Sequence, residues 1–286
     1  MNTEESIASR LLESVPAKIL KEEFNLEGLN QKAAISEVVD NNNKNLIRNF
    51  VFGNFGHFHQ HIFVFDLNVE IPEDWSPDAR FLHATTEDGN DRVFDLIFQI
   101  NYKLFNPAAG AEQELLFECP VRINIKDQIL ILKISTLERG VNKYFPNQVY
   151  GMGKDMDESN IISLIKDMLP QGCTMVTCDL NKGVKHLWDK DFVDAGFIKH
   201  KRSKSIATQS MDEDNLLKKI YPDEYREIIK DPLDKSIFLI TDKTVNISNF
   251  VPRFNIEPTR GKITITRFAD KNESIDNLIE KIIANN

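Results

Sequence analysis

The chain has no apolar run of the roughly 20 residues that a bilayer-spanning helix needs, so no helical membrane anchor is expected. Cysteine is scarce: Cys119, Cys173 and Cys178 are the only three. An odd number with no CxxC spacing excludes a disulfide framework and a zinc ribbon, and free thiols point to a reducing cytoplasm. GxxxxGK[ST], GxGxxG and GxSxG are all missing. That removes the P-loop, the dinucleotide-binding turn and the nucleophile elbow of α/β-hydrolases. Gly151-Met152-Gly153-Lys154 is too short for a phosphate-binding loop and reads as a plain connection. Positive charge is also short, with 35 Lys and Arg against 44 Asp and Glu. The net charge of −9 favours solubility and opposes general attraction to nucleic acid or anionic lipid. The opening MNTEESIASRLLESV is acidic and amphipathic, unlike the basic-then-apolar order of a signal peptide.

What is present is ample apolar material. Of 286 residues 41% are hydrophobic, 19 of them Phe, and each fully buried Phe contributes roughly 1.5–3 kcal/mol. Three short helices are expected first, over SIASRLLESV, VPAKILKEEF and QKAAISEVV, from apolar positions at helical spacing. The polar run Asp40-Asn41-Asn42-Asn43 marks a boundary, because Asn and Asp favour turns. This helix–connector–helix pattern resembles the small SAP-like and death-fold-like modules, which implies contacts to DNA or to other proteins. From about residue 48 the chain reads as β-rich. HIFVFDLNVEI, RVFDLIFQINYKLF, ELLFE, VRINI and QILILKIS are candidate strands. The last two form the clearest hairpin, turning at Lys126-Asp127. PEDWSPDARFLHATTEDGND between the first two reads as a long excursion.

The remainder is mixed. DESNIISLIKDML reads as a helix capped by Asp157 and closed by Pro170. TMVTCDL, KSIFLIT and GKITITRF read as strands, and KHLWDKDFVDAGF as helical. MDEDNLLKKIYPDEYREIIKD is an acidic helical segment broken at Pro222. ESIDNLIEKII places Ile275, Leu278, Ile279, Ile282 and Ile283 on one packed helix face. The expected class is α+β. A small helical N-terminal module spans residues 1–45, a central mainly antiparallel β-sheet 46–150, and a mixed α/β C-terminal half 151–286.

Two features carry candidate chemistry. GNFGHFHQHIFVF holds His57, His59 and His61 at alternate positions. On a strand the three would share one face, neighbours roughly 6.6 Å apart and the outer pair roughly 13 Å apart. Two imidazoles at that spacing can meet at one metal ion, and a fuller site would recruit a residue such as Asp95, Glu118 or Cys119. The stretch His57-Phe58-His59-Gln60-His61 also resembles the signature of the histidine triad family, although Gln60 stands where that family has an apolar residue. The resemblance implies a nucleotide hydrolase or transferase. His59 would attack an α-phosphate to form a covalent intermediate, with His57 and His61 binding the phosphate. The competing reading, which carries more weight, is a strand whose histidines line a sheet face. Cys178-Asp179 is read as a buried thiol.

The second feature is basic. From Leu180 to Ala207 there are seven basic residues against three acidic ones. Lys199, Lys201, Arg202 and Lys204 are the candidate nucleic-acid contacts. His200, Ser203, Ser205 and Trp188 accompany them, and Arg253, Arg260, Lys262 and Arg267 are candidates to extend the patch. The competing reading is a solvated loop balanced by Asp212-Glu213-Asp214. No cofactor is implied and no metal site is assigned. The sequence therefore points to a non-enzymatic cytosolic binding protein or complex subunit, of a regulatory or antiviral-defence type. Its partner would be another protein or a second copy, with DNA or RNA as a further class and no membrane. The enzyme built on His57, His59 and His61 is the alternative.

Overall fold

The computed structural model describes residues 3–88, 91–106, 111–136, 154–202, 205–211, 215–241 and 249–286. It is an α+β protein with a large, mostly antiparallel sheet. The chain divides into two compact units. The first takes Met1–Phe58 and Leu67–Met175, the second His59–Asp66 and Val176–Asn286.

The first unit begins with helices α1 (Glu4–Leu12), α2 (Ala17–Glu23), α3 (Gln31–Asn41) and α4 (Lys44–Gly53). Three of them start at side-chain caps. Thr3, Asn30 and Asn43 accept from the backbone N–H groups of Ser6, Ala33 and Leu46, satisfying donors that a helix start leaves open. The Asn-rich run is thus a junction between two helices. The β-rich reading from residue 48 does not hold for α4, which buries Ile47, Phe50, Val51 and Phe52. The apolar faces close on one cluster that includes Leu12, Leu20, Val38 and Val51, each at most 1% exposed.

The sheet of this unit runs β2 (Leu82–Asp88), β3 (Asp91–Asn106), β4 (Ala111–Lys126) and β5 (Ile129–Ser135). Strand β2 lies inside the segment read as an excursion and pairs with β3 from Leu82↔Leu96 to Asp88↔Asp91. The expected hairpin is present, with Val121↔Ile134 to Lys126↔Ile129 in register and Asp127 at φ 52 in its turn. ELLFE and VRINI, expected as separate strands, are one strand running through Pro120. The reason lies in the ladder. Ile97, opposite Pro120, donates its N–H to Phe81, so the backbone of this pair faces away from the shared β3–β4 ladder. The β4–β5 register stops at Val121. Pro120 therefore costs the β3–β4 ladder no bond, and the Ser135 carbonyl beside it accepts from the Cys119 thiol at 3.5 Å.

A buried carboxylate on β4 ties α4 to this sheet, and a second ion pair ties β3 to β4 beneath it. Glu118, 1% exposed, accepts from Arg48 Nε at 3.1 Å and lies 3.1 Å from Lys44 Nζ. Asp95 accepts from Arg122 Nε and Nη2 at 2.6 and 2.9 Å, and Arg122 also donates to the Phe52 carbonyl at 3.0 Å. Helix α5 (Lys154–Met168) buries Ile161 and Ile165, and the Met168 carbonyl accepts from Trp75 Nε1 at 2.9 Å. Asp157, expected as its cap, lies within the helix, and Pro170 follows its end.

The second unit holds one antiparallel sheet in the order β1 (Gln60–Leu67), β11 (Lys262–Ile265), β10 (Arg253–Glu257), β9 (Leu233–Ile240), β7 (Val193–Arg202) and β8 (Ser205–Ser210). The short β6 is Met175–Thr177. Helices α6 (Asn181–Asp189), α7 (Leu217–Ile220), α8 (Pro222–Ile228) and α9 (Ser274–Ile283) complete the unit. Pro222 stands at the first position of α8, where its missing N–H costs nothing. The segment expected to be one helix, KHLWDKDFVDAGF, ends its helix at Asp189 and continues as β7. Asp191, at φ 60, makes the turn. Asp194, 6% exposed, holds the two pieces together, accepting from Trp188 Nε1 at 2.9 Å and from the Lys218 N–H at 3.0 Å. Helix α6 meets α9 backbone to backbone: a Cβ on Gly183 would lie 2.2 Å from the Ile282 carbonyl oxygen.

Candidate functional site

The three spaced histidines do not form one strand face. His57 closes a 3₁₀ turn, Phe55–His57, His59 precedes the strand, and β1 begins at Gln60. Only His61 lies on the strand, opposite Thr264 and 5% exposed. His59 is half-buried, with its ring stacked on Phe268 at 4.3 Å and 23°. His57 belongs to the first unit, His59 and His61 to the second. Among the described residues no three His, Cys, Asp or Glu side chains gather as a metal site would require. The residues named as completing ligands are engaged elsewhere: Asp95 with Arg122, Glu118 with Arg48 and Lys44, and the Cys119 thiol with the Ser135 carbonyl at 3.5 Å. Cys178 is 8% exposed. Burial, then the neighbouring Asp66 carboxylate, pushes its thiol up to about 11, which suits a thiol that stays protonated and inert.

The basic segment is a strand pair rather than a loop. Lys199 and Lys201 lie two apart on β7 and so share a face. Lys199 stands directly opposite Lys235 of β9. Between Lys199↔Lys235 and His200↔Leu233 the register shifts, leaving Asp234 as the extra residue of a β-bulge. A bulge re-aims a side chain, and this one turns the Asp234 carboxylate toward the lysines. Its oxygens lie 2.7 Å from Lys199 Nζ and 3.9 Å from Lys201 Nζ. Glu257 of β10 extends the array, 3.8 Å from Lys235 Nζ and 3.3 Å from Arg260 Nη1. Four cations thus surround two carboxylates. They remain accessible, with 50% of the Lys201 side chain and 76% of that of Arg260 exposed.

Several expected members fall elsewhere. His200 and Trp188, expected to accompany the patch, are both 0% exposed and cannot reach a phosphate in solvent. His200 points to the opposite face, where Nδ1 lies 2.9 Å from Asp231. Lys262, by contrast, stands directly opposite Glu257 and so continues the row on the same face, with its Nζ 5.3 Å from the Phe63 ring centroid. Ser205 is exposed on β8. Lys204, Ser203, the side chain of Arg202, Gly151-Met152-Gly153 and Asp212-Glu213-Asp214 lie outside the described residues. Sequence reasoning missed Lys235, Asp234 and Glu257. The only available signal was the alternation of KSIFLIT, which shows a strand without showing its neighbour.

Salt bridging holds the Asp234 carboxyl below its ordinary range, first through the hydrogen bond from Lys199 and then through the charges of Lys199, Lys201 and Arg260. A lowered folded-state value stabilises above the unfolded value and is lost as pH falls through the folded one. Lys199→Met is therefore expected to lower stability near neutrality. The gap to wild type should narrow below about pH 4, where unfolded-chain Asp protonates. Urea midpoints across pH check this, and a gap that widens in acid refutes it.

No protein-family model, no curated protein and no solved structure matches this chain. Among the described residues no helix is long and apolar enough to cross a membrane.

Proposed function

We propose that this is a non-catalytic binding protein, a subunit of a larger complex, that holds nucleic-acid phosphates on the basic face of its second unit. The observation that carries this reading is the convergence of Lys199, Lys201, Lys235 and Arg260 on one exposed face around Asp234 and Glu257. Arg202 and Lys204 follow next in sequence. The two carboxylates hold the lysine chains in place and leave the cluster net positive, in a chain whose total is −9. Lysine heads on a sheet face meet phosphates as point charges, which positions a polyanion without reading its bases. A reducing compartment suits the free, buried Cys119, Cys173 and Cys178.

Binding should be weak, sequence-independent and salt-sensitive. Four phosphate contacts give a slope of log affinity against log salt of about −3.6 on duplex DNA. Duplex binding across a salt series tests this on the wild type and on Lys199→Ala/Lys201→Ala/Lys235→Ala/Arg260→Ala. The fourfold variant should lose the slope and keep its circular dichroism. A flat, salt-independent wild-type curve overturns the reading.

A further inference from the structure

We infer that the outer edge of β8, the end of the sheet among the described residues, is a docking site for an extended, acidic segment of a partner protein, which adds to the sheet as a further strand. The backbone directions carry this. Gly196 accepts from the Met211 N–H at 2.7 Å, so its backbone faces β8, while Lys201 donates to the Pro232 carbonyl at 2.9 Å and faces away from it. Backbone direction alternates along an antiparallel strand. Ile198 and His200 therefore bond their partners Gln209 and Ala207, and the intervening Ile206 and Thr208 direct N–H and C=O outward. The β7–β8 register runs unbroken from Phe197↔Ser210 to Arg202↔Ser205, and among the described residues β8 pairs with β7 alone.

Natural edges are guarded by charge, proline or bulges. Strand β8 reads Ser-Ile-Ala-Thr-Gln-Ser, with none of these. In the first unit the outer strand β2 has both a register shift at Leu82/Ala84 and the charged Glu87. An unguarded edge is what strand addition uses, with main-chain bonds giving affinity and alternate side chains giving specificity.

The face beside that edge selects the occupant. Ile206, 56% exposed, is the direct partner of Lys201, and Thr208 that of Lys199. An added strand would lie two strand spacings from β7, about 10 Å, a gap that a glutamate and Lys201, whose Nζ is 3.9 Å from Asp234 and whose side chain is 50% exposed, span by leaning toward each other. An apolar residue beside Ile206, flanked by carboxylates, fits this row. A second copy would bring its own lysine row to the same face, like charge toward like, and fits worse.

The test uses the full chain and two fluorescein-labelled peptides, one of alternating glutamate and valine and one of alternating lysine and valine, read by fluorescence anisotropy. The glutamate peptide should bind and the lysine peptide should not. Thr208→Pro removes only an outward N–H, a position where edge strands tolerate proline, and should weaken binding about tenfold or more. Ile206→Lys gives an independent block of the same edge, and Lys199→Ala/Lys201→Ala should weaken the glutamate peptide as well. Duplex DNA binding should persist in Thr208→Pro, which separates this site from the phosphate-binding face. No binding of the glutamate peptide, equal binding of both peptides, or unchanged binding in both edge variants overturns the proposal. So does sedimentation showing a wild-type dimer that Thr208→Pro abolishes, because the occupant would then be a second copy.

Discussion

Ile279→Asp is expected to unfold the second unit. Ile279 is 1% exposed on α9, beside Ile275, Leu278 and Ile282, none more than 1% exposed. A carboxylate there has no counter-charge in the apolar row and cannot stay hydrated while the helix is docked. Lifting the helix to admit water would break the tether beyond its end, where Asn286 Oδ1 accepts from the Gly183 N–H at 3.0 Å and Asn286 Nδ2 donates to the Asp179 carbonyl at 2.9 Å. The cost is on the order of 5 kcal/mol, comparable with the whole stability of a typical domain, about 5–15 kcal/mol. Ile283→Asp is the control. Ile283 is half-exposed on the same helix, so its substitution should cost far less. Urea unfolding of both variants checks the difference, and an Ile279→Asp midpoint equal to wild type would show that α9 is not docked.

Arg122→Met is expected to be the most damaging neutralisation in the first unit. Asp95 is 7% exposed and takes both hydrogen bonds of a fork from Arg122. The guanidinium lies 5.9 Å from the Phe52 ring centroid and 5.3 Å from that of Phe55. Methionine retains the apolar packing and leaves the Asp95 charge without its partner, a loss of about 3–5 kcal/mol for a broken buried pair. Removing both charges should be milder, since an apolar pair of similar volume often replaces a buried ion pair at little cost. Arg122→Met/Asp95→Leu should therefore recover most of the loss. A double-mutant cycle on chemical denaturation measures the coupling. A double variant as unstable as the single would mean that the Arg122–Phe52 carbonyl bond, not the charge, matters.

Legibility followed the range of the interaction. The α9 face was readable because helical periodicity is local, and the β4–β5 hairpin because its turn and all its paired residues lie between Val121 and Ile134. Strand β2 was hidden because His83, Thr85, Thr86 and Glu87 have no apolar alternation, and an outer strand needs none on its exposed side. The α6-to-β7 switch was hidden because Leu187, Trp188, Phe192 and Val193 suit a helix as well as a core. What ends the helix is Asp191 at positive φ and Asp194 capping α7, a helix more than 20 residues away in the chain.

The candidate site divides in the same way. Sequence alone determined an α+β chain with free thiols, an amphipathic C-terminal helix and a run of lysines at Lys199 and Lys201, because composition and spacing are properties of neighbouring residues. Tertiary structure decided the rest. Strand pairing set Lys235 opposite Lys199, a bulge turned Asp234 toward both lysines, and the 3₁₀ turn before Gln60 dispersed the histidines that the spacing had aligned. Each of these depends on register between distant strands or on where a strand starts, and both are settled by the burial of whole faces rather than by any short stretch of residues.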